Sequence, residues 1–155
     1  MSQNSGFMEK IQVPNNQFFA LAKQLLHEGK KIEIPVKGNS MRPFLFSGEM
    51  VVVAPVSAAC PLRKYDIILA QTSTGHIMMH RVREIAPDAI LMKGDGNLYQ
   101  SERISHHDVM GKVVSVLRRG KHVSPYSPIL LFLAQVWNPV IVRRVGLFLL
   151  RLFTK

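Results

Sequence analysis

A mainly β domain, led by an N-terminal helix and followed by apolar C-terminal helices, is the fold class that the sequence predicts. Three observations carry it. From Ile32 to Leu117, short runs rich in Val, Ile and Met alternate with turns marked by Gly, Pro, Asn and Ser, the signature of successive strands. Ahead of that region, Phe18, Phe19, Leu21, Ala22, Leu25 and Leu26 recur at helical spacing. Behind it, Pro125 and Pro128 mark a shift to two long apolar segments split by Asn138-Pro139.

The elements follow in order. Residues 1–13 read as a loose tail, and Met1 to Gln17 is too polar to open a secretory signal. Asn15 or Asn16 offers an N-cap oxygen to the helix, and Gly29 ends it, with Lys30 and Lys31 suited to the negative end of its dipole. Ile32 to Val36 alternates as a strand and feeds the turn Gly38-Asn39-Ser40-Met41-Arg42-Pro43. Glu49 to Val53 is the next strand, and Ala54 to Pro61 a small-residue loop. Tyr65 to Thr72 and His76 to Ile85 form a hairpin around Ser73-Thr74-Gly75. Ala89 to Lys93 and Val109 to Leu117 form a third pair, bracketing the Gly94–Asn97 turn and a polar excursion with His106 and His107. The apolar segments Ile129 to Trp137 and Val140 to Phe153 each fall short of the ~20 residues that span a bilayer as one straight helix. The expected division is a tail and helix at 1–31, a β domain at 32–120 and an apolar, basic helical segment at 121–155.

Composition narrows the partners. At 155 residues the chain supports one domain with a real core, and 47% hydrophobic against 19% charged residues exclude a disordered chain. A single cysteine, Cys60, rules out an internal disulfide framework. The net charge of +10 favours an anionic partner. Arg143, Arg144 and Arg151 fall near one helical face beside a wide Leu/Phe/Val face, a distribution suited to a membrane interface rather than a nucleic-acid groove. A membrane surface is therefore the expected partner of the C-terminal segment, and no nucleic acid is expected.

The chemistry centres on Ser40 and His80. Serine attacks a carbonyl only when a base removes its proton, and a glycine turn presents its oxygen. His80, forty residues downstream, is the candidate base, because an imidazole takes a proton and returns it near neutral pH. The oxyanion would be met by the Ser40 N–H and a neighbouring donor, from Asn39 or Gly38, with Asn39 and Met41 the expected oxyanion and substrate-binding residues. His76 and His80 share a strand face without a cysteine or carboxylate set around them, so neither a metal nor another cofactor is expected.

Ser40-Met41-x-Pro43, Gly48-Glu49, Asp66-Ile67-Ile68, His80-Arg81-Val82 and Lys93-Gly94-Asp95-x-Asn97 stand in the order of the boxes of type I signal peptidases, and the chain resembles that family from about residue 35 to 116. It is most similar to the endoplasmic-reticulum and archaeal branch of this signal peptidase/LexA-like superfamily, in which histidine replaces the general-base lysine. The resemblance implies a coiled β structure and a membrane-associated serine endopeptidase that cleaves after small residues. It also implies a carboxylate behind the histidine. The positions of the branch's paired aspartates hold Gln100 and Ser101 here, leaving Asp95 as the expected partner of His80 and Glu102 as the alternative. Lys93, Arg81, Asp66 and Glu49 are expected in structural roles. The alternative function is a catalytically weak or inactive peptide-binding member of the same fold, serving secretion or peptide maturation. A LexA-like regulator would need a DNA-binding helix-turn-helix, for which the residues ahead of the β region are too few.

Overall fold

The computed structural model describes residues 15–153, so the expected tail at 1–13 lies outside the described residues. Helix α1 (Asn15–His27) is amphipathic, burying Ala22 and Leu26 against the sheet. Gly29 ends it in the left-handed region at φ +82°, where the Lys30 N–H reaches back to the Leu25 carbonyl.

Eight strands follow: β1 (Ile32–Pro35), β2 (Met50–Ala54), β3 (Ile67–Gln71), β4 (Ile77–Ile85), β5 (Ile90–Lys93), β6 (Glu102–Ile104), β7 (Val109–Arg118) and β8 (Lys121–Val123). All pairings are antiparallel, in the order β1-β2-β7-β3-β4-β5-β6, with β8 also on β7. The expected hairpin is β3–β4, with Ile68 opposite His80. The expected third pair is not made. β5 lies between β4 and β6, and β7 lies between β2 and β3. The short, charged strand Glu102-Arg103-Ile104 carries no apolar run, which is why the pairing of β5 with it was not visible in the sequence.

Alternation along β3 builds the core. Ile67 and Leu69 enter one cluster with Leu26, Val36, Met41, Leu45 and Val113, while Ile68 and Ala70 enter a second with Val82, Ile90 and Met92. Both faces of this central strand are thus covered. Tyr126 closes the first cluster, its hydroxyl donating to the Val113 carbonyl and accepting from the Ile67 N–H. Burial pushes its phenol well above the ordinary tyrosine range. From this anchor the chain enters α2 (Pro128–Val136), capped by the Ser127 hydroxyl, and then α3 (Val140–Phe153). The two helices meet at a bend of 107°, and no single helix among the described residues is long and apolar enough to cross a membrane.

Candidate active site

The loop carrying Ser40 is tied at its base and weighted at its centre. Val36 exchanges backbone hydrogen bonds with Gly48 and Glu49, and Gly38 turns the chain at φ +79°. Glu49 accepts from the Phe46 N–H and pairs with Arg118, the backbone-fixing role expected of it. Asp66 behaves alike, accepting from the Arg63 N–H and from Lys112. Met41 is only 2% exposed and packs into the core beside Leu45. The length and apolarity of this side chain anchor the loop, so what Met41 offers for the oxyanion role expected of it is its backbone N–H. Asn39 is exposed, and its carbonyl accepts from the Arg42 N–H. Among the described residues, the hydroxyl of Ser40 and the backbone N–H groups of Ser40 and Met41 make no hydrogen bond.

His80 is buried on β4, with its Nδ1 2.8 Å from a Glu102 carboxylate oxygen on β6. A carboxylate only accepts, so Nδ1 carries a proton, and in the neutral ring the lone pair falls on Nε2. The turn Gly94–Asn97 brings this nitrogen and the serine loop together. A side-chain carbon on Gly94 would stand 2.5 Å from the Ser40 carbonyl oxygen and 3.0 Å from His80 Nε2. Serine backbone and imidazole therefore flank one space too small for a methyl group. The Gly96 N–H donates to that same Ser40 carbonyl at 2.7 Å, and a side-chain carbon there would stand 2.5 Å from the Asn39 carbonyl. Both glycines are required by this close backbone approach rather than by backbone dihedrals.

Asp95 is not the partner of His80. It is fully buried, clamped by Arg81 through Nε and Nη2 and by Arg83 through Nη2 at 2.8 Å. Residues alternate faces along a strand, so Arg81 points away from the side His80 occupies; Arg83, in the bulge between Val82 and Glu84, reaches the same carboxylate. Burial holds the Arg83 guanidinium below its ordinary value, opposed by the Asp95 charge. Glu102, the alternative, fills the position expected of Asp95. Arg81 has the ion-pairing role expected, adding a bond to the Tyr65 carbonyl and a guanidinium 5.0 Å above the Phe44 ring. Lys93 donates to the Leu98 carbonyl at 2.8 Å, bracing the far end of the turn. Burial and the nearby Arg143 and Arg83 charges hold its ammonium below the usual lysine range.

Sequence reasoning missed the reach of the C-terminal helices into this region. Trp137 Nε1 donates to the Asp95 carbonyl at 2.8 Å, and Arg143 Nη1 donates to the Asn97 carbonyl. Arg143 is 0% exposed, so it does not share an outward cationic face with Arg144 and Arg151 as expected. The seven-residue and eight-residue offsets allowed one face; the polar carbonyl under α3 draws Arg143 inward. Arg144 and Arg151 remain exposed and rim an apolar groove of about 440 Å³ walled by Leu98, Val145, Leu147 and Phe148.

A family model described as Peptidase S24-like matches residues 3–114, from before α1 into β7. No curated protein matches the chain. The match covers most of the chain, including Ser40, His80, Asp95 and Glu102, and agrees with the antiparallel sheet and serine-peptidase class of fold described above. This chain belongs to the Peptidase S24-like family.

Proposed function

We propose that the chain is a serine endopeptidase working through Ser40, His80 and Glu102, nearest in its boxes to the Ser-His branch of signal peptidases. One observation carries the reading: the bond from His80 Nδ1 to Glu102 leaves Nε2, on the side of the Ser40 turn, as the proton acceptor. In this reaction the Ser40 hydroxyl attacks the carbonyl carbon of an extended peptide while Nε2 takes its proton. Glu102 stabilises the imidazolium, and the unengaged N–H groups of Ser40 and Met41, beside Asn39, meet the oxyanion. Collapse expels the amine, which takes the proton from Nε2. Water, activated by the same nitrogen, then releases the acyl group and restores the Ser40 hydroxyl. A carboxylate at Glu102 answers the absence of aspartates at Gln100 and Ser101, and so supports catalysis over the peptide-binding alternative. By resemblance the scissile bond follows a small residue. Extended peptides with Ala or Ser at that position are the substrates to test: the full chain cleaves them, and Ser40→Ala, folded as judged by circular dichroism, does not.

The same proposal places the enzyme on a membrane surface. Ile141 and Phe148 are 77% and 62% exposed, Phe153 is exposed at the end of α3, and Arg144 and Arg151 lie among them. Such a helix lies in the headgroup region with its apolar face down and its cations toward anionic lipid. The full chain is expected to float with phosphatidylcholine vesicles containing phosphatidylglycerol. A double variant Ile141→Asp, Phe148→Asp is expected to stay at the bottom of the gradient. Wild-type protein that stays at the bottom would refute membrane docking without touching the peptidase assignment.

A further inference from the structure

We infer that the α2–α3 extension is a brace for the catalytic turn, with Trp137 and Arg143 as positioning residues; its catalytic consequence rests on the peptidase reading above. The extension lies beyond the residues that match the family. Its two polar contacts with the turn grip both ends of a three-residue stretch. Trp137 Nε1 holds the Asp95 carbonyl, Arg143 Nη1 holds the Asn97 carbonyl, and the Gly96 N–H between them donates to Ser40. Gly94, next in line, packs against His80 Nε2. The turn that joins nucleophile and base is thus held from behind by side chains of the extension.

Trp137 also reaches the other half of the site. Its ring meets Phe44 of the serine loop edge-on at 6.3 Å between centroids. Gly146 of α3 makes room for it, since a side-chain carbon there would stand 2.3 Å from the indole. One indole therefore contacts the serine loop, the glycine turn and α3.

The burial of Arg143 argues that the contact is more than packing. The side chain sits on a helix otherwise dominated by apolar residues, yet it is fully buried, and its Nε and Nη2 have no partner among the described residues. Burial holds its guanidinium below the ordinary arginine range. An apolar side chain of similar volume would fill the space at lower desolvation cost. What arginine adds is one directed bond, and that bond goes to the catalytic turn.

The test uses the full chain and two readouts, one of them independent of turnover. Amide hydrogen exchange at Gly96 reports its bond to Ser40, and the rate of covalent labelling by a fluorophosphonate reports Ser40 itself. Trp137→Phe keeps the aromatic ring without its donor, and Arg143→Met keeps the volume without charge. Each is expected to speed Gly96 exchange at least about tenfold and to slow Ser40 labelling by about 10–100-fold, the cost of an ångström-scale misplacement. The thermal midpoint of Arg143→Met is expected to be unchanged or higher, and Arg143→Lys to recover part of the labelling rate. Should Arg143→Met fail to fold, Trp137→Phe and Arg143→Lys carry the same comparison. Wild-type exchange at Gly96 in these variants, or labelling that falls only in step with the folded fraction, would overturn the brace. Faster Gly96 exchange in a protein whose wild type is never labelled at Ser40 would uphold the brace and defeat the peptidase reading instead.

Discussion

Glu102→Gln is expected to leave the protein folded while lowering peptide cleavage on the order of 10⁴-fold, the effect of neutralising the carboxylate behind a catalytic histidine. The carboxylate does two things here. It accepts the proton of Nδ1, leaving Nε2 on the side of the Ser40 turn, and in the proposed reaction it stabilises the imidazolium formed as serine attacks. An amide presents its NH₂ to Nδ1 as readily as its oxygen, which drives the proton to Nε2 and leaves the serine without an acceptor. Little stability is at stake. The Glu102 side chain is 23% exposed, so its pair with His80 is partly solvated, and folding free energy should change by no more than about 1 kcal/mol. Cleavage rates and urea midpoints of the same variant check both halves of this expectation.

Asp95→Asn should do the reverse. Asp95 answers two guanidiniums that are themselves almost fully buried, and a neutral amide would leave both charges without a counterion in the interior. Removing one partner of such a buried cluster costs about 3–5 kcal/mol, a large share of the roughly 5–15 kcal/mol that holds a domain folded. The expected outcome is a marked fall in the urea midpoint. Activity measured per folded molecule should remain within reach of wild type if the turn keeps its shape. A variant that stays as stable as wild type yet loses all turnover would return Asp95 to the catalytic machinery. The two carboxylates are seven residues apart, and their substitutions are predicted to separate catalysis from stability cleanly.

Most of the strands and all three helices were legible in the sequence, because period and turn chemistry are local signals; the short strands β6 and β8 were not. The hairpin β3–β4 was legible from the alternation around Ser73-Thr74-Gly75. The role of Glu102 was not. β6 is three residues long and charged, and only its pairing with β5, Met92 opposite Glu102, swings that carboxylate under His80. Asp95 was expected behind His80 because it matches the acidic residue of the Lys93-Gly94-Asp95-x-Asn97 box, but the buried guanidiniums of Arg81 and Arg83 hold it instead. The inward packing of the Met41 side chain was also not legible, because adjacency to a nucleophile says nothing about which way a side chain packs. The C-terminal helices were visible as amphipathic segments, yet the inward turn of Arg143 depends on a carbonyl from a turn forty-six residues earlier, which no periodicity encodes.

Attack by the residue-40 oxygen, driven by the imidazole of residue 80, is best tested by mapping where a fluorophosphonate attaches. Peptide mass spectrometry of the labelled full chain should find the adduct on Ser40 alone, with the labelling rate falling by orders of magnitude in His80→Ala although the hydroxyl is untouched. An adduct on any other residue, or a Ser40 adduct formed at the same rate without the imidazole, would contradict the mechanism.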